Sequence, residues 1–202
     1  MAESLILASA SPSRRQLLAN AGLRFSVQPS GVDEDEVKRS LVGDDASAQE
    51  IAAALAEMKA VRVSSRHRGA MVVGADSTLA CNGLLFDKPP TLADARRQLL
   101  ALAGQTHELC SSVVVAKNGA RLWHCTDVGR LTMRAMSEIF IDRYLAHAGE
   151  AVCASVGAYQ LEGLGVHLFS RIEGDFFTVL GLPLLPLLSF LSEHGIGLED
   201  TQ

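Results

Sequence analysis

The sequence lacks the cysteine spacing that would indicate a structural zinc site or a disulfide framework. Its four cysteines form no CxxC pair, and no histidine follows them at zinc-finger spacing. We therefore expect reduced thiols, as in a cytosolic protein. The four are Cys81, Cys110, Cys125 and Cys153.

Long hydrophobic segments are also missing. The longest apolar run, residues 179–191, is shorter than the roughly 20 residues that a membrane helix needs, and it contains two prolines. The first residues show neither the basic start nor the apolar stretch of a signal peptide. The sequence thus predicts a cytoplasmic protein that does not bind membranes.

Basic residues are not in excess, since the chain has 18 Lys and Arg but 23 Asp and Glu, and the net charge is −5. This charge argues against a protein that wraps a nucleic acid backbone, and any bound phosphate must meet a local basic cluster. Three familiar motifs, GxxxxGK[ST], GxSxG and HExxH, are absent. Walker ATPases, serine hydrolases of the elbow type and zincins are therefore disfavoured.

The 202 residues, 48% of them hydrophobic, suffice for a sizeable core, and we interpret residues 1–202 as one domain. Short β-type runs alternate with helical stretches, which predicts an α/β sheet protein. Strands are predicted at 5–8 and at 71–75, where the second ends at Asp76.

Hairpin turns and helix starts have local signatures. The Asn-Gly pairs at 82–83 and 118–119 predict two-residue turns. Ser47 and Glu50 form a capping-box pattern before an alanine-rich helix. Further helices are predicted to begin after Ser11, Thr91, Ser137 and Pro183.

Polar groups gather where the first predicted strand passes into a helix. In SASPSRR, residues 9–15, the hydroxyls of Ser9 and Ser11, the free helix N–H groups and the Arg14 guanidinium can converge on an anion. An ordinary capped helix with solvated arginines explains the same pattern. A phosphate site is therefore one of two interpretations of this loop.

Two acidic positions offer oxygen ligands or a proton acceptor. Asp76 ends a nearly all-apolar predicted strand, where open α/β sheets gather ligand-binding groups, so it can bind a metal or take a proton from water. A turn-forming role is the alternative. The stretch VDEDE at 32–36 is predicted to be a loop, which either supplies a hard oxygen ligand for Mg²⁺ or is a solvated charge run.

Two lysines and a glycine-rich stretch complete the candidates. Lys88 precedes two prolines in FDKPP, which restrict its backbone. Lys59 lies in AEMKA on the alanine-rich helix, where most lysines are surface residues. The composition of GAYQLEG, residues 157–163, suits a loop folded against a flat ligand, although such glycines often only form turns.

Eight segments occur in a fixed order: LILASASPSRRQLL, VDE, AEMKA, VVGADS, FDKPP, LAGQTH, GAYQLEG and GDFFTVLGLPL. Together they resemble the Maf family of nucleotide pyrophosphatases over roughly residues 5–190. The resemblance implies a mixed twisted sheet with flanking helices, similar to inosine triphosphate pyrophosphatases, with a cleft between two lobes and usually a homodimer. It also implies hydrolysis of a nucleoside triphosphate to the monophosphate and pyrophosphate, with a divalent metal cation, Mg²⁺ or Mn²⁺.

Matched position by position, the resemblance assigns roles to individual residues. Asp76 corresponds to the proton acceptor, and Glu34 and Asp76 correspond to the metal ligands. A triphosphate carries about four negative charges, so nearby cations would offset its repulsion from these carboxylates. The residues that match the family's phosphate-binding positions are Ser9, Arg14, Lys59 and Lys88.

Three further positions bear on the choice of base. The dTTP/UTP branch of the family has Arg, Thr and Gln where this chain has Ser13, Ser77 and Glu162. The branch acting on 7-methyl-GTP also has Glu at the last position, and a carboxylate accepts hydrogen bonds from the N1–H and amino group of guanine. GAY at 157–159 resembles the pyrimidine branch, so a modified purine is favoured on Glu162 alone.

A nucleotide-binding regulator without turnover is the main alternative, because Maf proteins have also been linked to arrest of septum formation. A purely structural domain is a further alternative. It would require Arg14, Glu34, Asp76 and Lys88 to lie on different faces of the protein.

Overall fold

The computed structural model describes residues 4–43 and 45–198. The chain divides into two compact units, and neither is a continuous piece of sequence. The single domain expected for residues 1–202 stays a prediction. The first unit contains the chain up to Ser77, Cys110–Asp127 and the chain from Phe176, and the second contains Thr78–Leu109 and Val128–Asp175.

In the described part of the chain, seven strands form one sheet: β1 (Leu5–Leu7), β2 (Ser26–Val27), β3 (Met71–Cys81), β4 (Leu84–Phe86), β5 (Thr106–Lys117), β6 (Ala120–Met133) and β7 (Phe169–Glu173). Their order is β2-β1-β3-β5-β6-β7, with β4 paired to β3. β1 is parallel to β2 and β3, whereas β4 is antiparallel to β3, and β7 to β6. This confirms the predicted α/β class with a mixed sheet and flanking helices. The cleft between two lobes stays a prediction.

The described helices are α1 (Pro12–Asn20), α2 (Glu34–Gly43), α3 (Ala48–Ser64), α4 (Leu92–Leu102), α5 (Glu138–Ala148), α6 (Phe176–Val179) and α7 (Leu184–Glu193), with short 3-10 turns at Gly149–Ala154, Val156–Ala158 and Leu164–Leu168. Capping explains four of the helix starts, because a serine or threonine side chain accepts a backbone hydrogen bond before α1, α3, α4 and α5. Ser47 and Glu50 form both halves of the capping box. These starts, and that of α7 after Pro183, were predicted correctly.

Both predicted hairpin turns are present. Asn82 and Gly83, with φ of 51° and 78°, join β3 to β4. Asn118 and Gly119, with φ of 53° and 83°, join β5 to β6. Positive φ at both central residues is the turn geometry that asparagine and glycine adopt most readily.

In the first unit, the two faces of β3 pack against different helices. Val73 and Ala75 lie in a core cluster with leucines of α1 and α7. Gly74 faces α3, where an added Cβ would lie 2.3 Å from a backbone oxygen of that helix. Because side chains alternate along a strand, Asp76 shares the α3 face and Ser77 shares the α1 face.

In the second unit, α4 and α5 pack side by side. Arg96 of α4 lies 2.9 Å from Glu138 and 2.6 Å from Asp142, both on α5. Leu99 and Leu102 of α4 are fully buried. The unit therefore has its own apolar core with an ion-paired helix surface.

The predicted end of the second strand at Asp76 is wrong. β3 continues to Cys81, because its far end gains antiparallel pairing with β4 at Leu79↔Phe86. The parallel pairing of β3 with β1 stops at Leu7↔Val73. Asp76 therefore lies inside a strand, yet beyond the end of the parallel neighbour.

The prediction of a loop at 32–36 is also wrong. α2 begins at Glu34, and Oδ1 of Asp33 accepts a hydrogen bond from the backbone N of Glu36 at 3.0 Å. Acidic residues fill the first turn, where they interact favourably with the positive end of the helix dipole. The charge run is thus the start of a helix.

Two chain-wide predictions concern membranes and thiols. Among residues 4–43 and 45–198, no helix has the length and apolar character needed to cross a bilayer. All four cysteines are free thiols, and Cys81 and Cys110 are buried. The expected reduced state of the cysteines in the cell stays a prediction.

Candidate active site

Two carboxylate side chains of the first unit meet at the ammonium group of Lys59. Its Nζ lies 2.6 Å from Oε1 of Glu34 and 2.6 Å from Oδ1 of Asp76. The side chains of Lys59 and Asp76 are 6% and 7% exposed, whereas that of Glu34 is 36% exposed. Glu34 and Asp76, hereafter the carboxylate pair, therefore converge on one point, and Glu34 is its solvent-facing member.

Each of these groups comes from a different element. Glu34 is the first residue of α2, and Asp76 lies on the α3 face of β3. Gly74 on that face has no side chain, so α3 approaches the strand closely and Lys59 reaches Asp76. The burial of Lys59 removes the alternative that it is a surface lysine.

Arg14 lies in the first turn of α1, and protein oxygens surround its guanidinium. Nε donates to the carbonyl oxygen of Gly181 at 2.9 Å, and Nη1 donates to that of Ala75 at 2.9 Å. Nη1 also donates to Oγ of Ser9 at 3.3 Å, and Nη2 donates to Oγ of Ser77 at 2.9 Å. Burial lowers the pKa of Arg14, while the negative charges of the carboxylate pair oppose this shift. Arginine remains charged in such a setting.

Ser77 continues into a buried hydrogen-bond chain. Its Oγ lies 3.0 Å from Oγ of Ser111, which donates to the carbonyl oxygen of Thr178 at 2.9 Å. Oγ1 of Thr178 donates to Oδ2 of Asp127 at 2.7 Å. Because Ser111 gives its proton to Thr178, Ser77 donates to Ser111 and accepts from Arg14. The single proton of the Ser77 hydroxyl, at a predicted specificity position, is thus used within the protein.

The structure brings most of the predicted site residues together in the first unit. Ser13, a predicted specificity position, is half-buried in the first turn of α1. Lys88 and Glu162 belong to the second unit, and both are exposed. Contact of these two residues with a ligand stays a prediction. The contacts above form two groups, which adjoin where Ser77 follows Asp76 in β3: Glu34 and Asp76 with Lys59, and Ser9 and Ser77 with Arg14.

His107 and Tyr159 form a buried pair in the second unit, and the sequence motifs gave His107 no role. Nε2 of His107 lies 2.9 Å from the hydroxyl of Tyr159, whose ring meets that of Phe169 edge-on at 4.8 Å. Burial lowers the pKa of His107 to about 4 and raises the pKa of Tyr159. Tyr159 is 5% exposed and packs in the core, and contact of the GAYQLEG loop with a flat ligand stays a prediction.

Some of these partners carried a signal in the sequence. His107 and Tyr159 stand in LAGQTH and GAYQLEG, and Thr178 stands in GDFFTVLGLPL. The signal that could have identified them is that each is a polar residue inside one of the ordered motifs. Ser111 and Asp127 lie in strands without such a mark.

The oxygen donors of the carboxylate pair fit an ion of the magnesium type. Within the two described ranges, no group of three or more His, Cys, Asp or Glu residues gathers to hold a metal. The pair nevertheless offers two hard oxygen ligands that already converge on a cation. Mg²⁺ is usually bound by one or two carboxylates together with substrate phosphates. Glu34 and Asp76 are therefore the residues that would hold it.

The strand order and the carboxylate pair define an α/β protein in which two carboxylates converge on a buried lysine. Comparison with protein families extends this description to nearly the whole chain. The chain belongs to the family described as Maf-like protein, whose profile matches residues 4–194.

Relatives in this family align over almost their full length. The "Nucleoside triphosphate pyrophosphatase" of Paramagnetospirillum magneticum is 54% identical over 190 residues, 94% of this chain and 98% of the relative. A protein of the same name from Nitrobacter winogradskyi is 56% identical over 189 residues, 94% of this chain and 93% of the relative. The "7-methyl-GTP pyrophosphatase" of Rhizobium etli is 48% identical over 195 residues, 96% of this chain and 98% of the relative.

Among solved structures, a HAM1 protein from Coxiella burnetii aligns with a TM-score of 0.43 and 18% sequence identity. The alignment covers 67% of this chain and 75% of that chain.

Proposed function

We propose that this protein hydrolyses the bond between the α and β phosphates of a nucleoside triphosphate and releases the monophosphate and pyrophosphate. The observation that carries the proposal is the convergence of Glu34 and Asp76 on the buried Lys59, at 2.6 Å each. Relatives that align over 94% of the chain are named for this activity, which supports the same conclusion.

Asp76 is the proton acceptor in this proposal. Lys59 binds its Oδ1, so Oδ2 takes a proton from the attacking water. The water oxygen forms a bond to the α phosphorus, and the bond from that phosphorus to the bridging oxygen breaks. Pyrophosphate leaves with the electron pair of that bond, and water is the only co-reactant.

Lys59 has a second role besides its ion pairs with the carboxylate pair. An ammonium group has three N–H donors, and Glu34 and Asp76 take two of them. The third donor is assigned to a phosphate oxygen, where charge grows as the bond breaks. A divalent cation, Mg²⁺ or Mn²⁺, held by the carboxylate pair would supply the positive charge that lets a polyphosphate approach two carboxylates.

A modified purine nucleotide, similar to 7-methyl-GTP, is the proposed substrate class. Glu162 is exposed, and its carboxylate can accept two hydrogen bonds from a guanine edge. The name of the R. etli relative supports this choice. Because the hydroxyl of Ser77 is already engaged, the preference rests on Glu162. Hydrolysis of dTTP or UTP is the alternative.

Pyrophosphate release from a nucleotide panel tests the activity and the base together. Purified protein with Mg²⁺ is assayed with 7-methyl-GTP, GTP, dTTP and UTP, and 7-methyl-GTP is expected to have the highest kcat/KM. Glu162→Gln should shift the preference toward dTTP and UTP, because an amide both donates and accepts. Nucleotide binding without turnover of any of the four would favour the regulator of septum formation instead.

Substitution of the carboxylate pair tests the catalytic roles. Asp76→Asn is expected to abolish turnover and to leave nucleotide affinity within a few fold, because the amide keeps the shape and loses the base. Glu34→Gln should lower turnover and weaken activation by Mg²⁺. Asp35→Asn and Glu36→Gln, at exposed positions of the same helix α2, are the matched controls and should behave as wild type. Undiminished turnover in Asp76→Asn would remove Asp76 from its role.

Two properties of the family accompany this proposal. We expect a homodimer, and we expect the protein in the cytoplasm. Light scattering on the purified protein measures the first, and fractionation of cells that express it measures the second.

A further inference from the structure

Arg14 connects three separate parts of the first unit. Its four hydrogen bonds reach Ser9 in the loop before α1, Ala75 and Ser77 in β3, and Gly181 in the turn between α6 and α7. Gly181 lies 167 positions away in sequence.

The contacts of Arg14 lie immediately on both sides of Asp76. Nη1 binds the carbonyl oxygen of Ala75, the preceding residue, and Nη2 binds the hydroxyl of Ser77, the following residue. Ser77 projects from the strand face opposite to that of Asp76, because side chains alternate. Arg14 therefore holds the backbone of Asp76 from the α1 side, while Lys59 binds its carboxylate from the α3 side.

The donor geometry of Arg14 matches this role better than that of a phosphate contact alone. A guanidinium has five N–H groups in a rigid plane, and these four hydrogen bonds occupy four of them. One N–H of Nη2 is left for a ligand. A lysine at this position would keep the charge but would lose the planar arrangement of donors.

We propose that Arg14 is a positioning residue, which fixes the backbone on both sides of Asp76 and so aims its carboxylate at the attacking water. The kinetic part of this inference rests on the proposed pyrophosphatase function. The structural part, restraint of β3 around Asp76, does not depend on turnover.

Arg14→Lys keeps the positive charge but removes the planar donors, so it distinguishes a positioning role of Arg14 from a purely electrostatic one. If Arg14 positions Asp76, kcat should fall by about 100-fold, because a misplacement near 1 Å at a reacting centre costs that much. The dissociation constant of the α,β-methylene analogue of the best substrate should stay within about 3-fold. Arg15→Lys, at the exposed neighbouring position, is the matched control and should change neither quantity. Weakened analogue binding with kcat retained would overturn the proposal, as would no change at all.

A double-mutant cycle decides the case in which kcat and binding both change. Ser77→Ala removes the hydroxyl that Nη2 binds, so its effect on kcat should be largely absent when Arg14 is already lysine. The double variant should then resemble Arg14→Lys alone. Multiplicative loss of kcat in the double variant would show independent action and would overturn the proposal.

Amide hydrogen exchange gives a readout that does not need turnover. Arg14→Lys should accelerate exchange in a peptide that covers residues 74–78, whereas Arg15→Lys should not. If wild-type protein hydrolyses none of the nucleotides, the proposed function fails while this measurement still tests the restraint. Unchanged exchange in Arg14→Lys would overturn the positioning role even if the wild-type protein is an active pyrophosphatase.

Discussion

Mild acid should destabilise this protein through one side chain, His107. The residue is 1% exposed, its Nε2 lies 2.9 Å from the hydroxyl of Tyr159, and its Nδ1 has no hydrogen-bond partner. A charged imidazolium at this place would lose its hydration, and the described neighbours supply no carboxylate to it. Burial accordingly lowers the pKa of His107 to about 4.

The direction of the effect follows from the two pKa values. The pKa of His107 is about 4 in the folded chain, against its ordinary value of 6.5, so the unfolded chain binds more protons between these values. Stability should therefore be complete above about pH 6.5 and should fall as the pH drops from 6.5 toward 4. The difference between the two pKa values corresponds to about 3 kcal/mol, since each tenfold change in proton affinity is worth about 1.4 kcal/mol.

Urea unfolding at a series of pH values from 7.5 to about 4 measures this effect. Other groups also titrate in this range, so the informative quantity is the difference in unfolding free energy between wild type and His107→Gln. That difference should shrink by about 3 kcal/mol as the pH falls, because the variant has no imidazole to protonate. His124→Gln, at an exposed position, is the control and should parallel wild type. Parallel curves for wild type and His107→Gln would refute the reasoning.

Two further predictions concern the packing around the carboxylate pair. Lys59→Met should cost about 3–5 kcal/mol in unfolding free energy because it leaves two facing carboxylates without their cation, and Mg²⁺ should restore part of the loss in Tm. The control is Arg62→Met, at an exposed position of the same helix, whose Tm should not respond to Mg²⁺. An equal response of both variants would contradict the role of Lys59 as the cation between the carboxylates. Gly74→Ala should destabilise by about 1–3 kcal/mol because its Cβ would lie 2.3 Å from a backbone oxygen of α3, whereas Gly43→Ala meets nothing within 4 Å. Equal Tm values for the two alanine variants would contradict the close approach.

Local chemistry made much of the fold predictable. The Asn-Gly turns and the Ser47 capping box depend on residues within four positions of one another, so the sequence displays them directly. The same holds for the strand at the start of β3, where an apolar run is unbroken. The errors arose where a local pattern had two outcomes. The acidic run could be a solvated loop or a capped first turn, and Asp33 capping decided for the helix.

The candidate site was predictable as a set of residues but not as a set of contacts. The ordered motifs pointed to Glu34, Lys59 and Asp76, yet nothing in their spacing indicated that Lys59 would lie between the two carboxylates. Arg14 illustrates the limit, because its partner Gly181 is 167 positions distant and the bond depends on how the whole unit folds. Motif order identifies the participants, whereas tertiary packing decides which atoms meet.

The interleaved course of the chain has a practical consequence for dissecting this protein. The chain leaves the first unit one residue after Asp76, returns at Cys110, leaves after Asp127 and returns at Phe176. A fragment that stops before residue 176 would lack the oxygens that Arg14 and Ser111 bind. Truncated chains would therefore keep Glu34, Lys59 and Asp76 but lose hydrogen bonds of Arg14 and Ser111. Exchange of the second unit between relatives requires two simultaneous internal replacements.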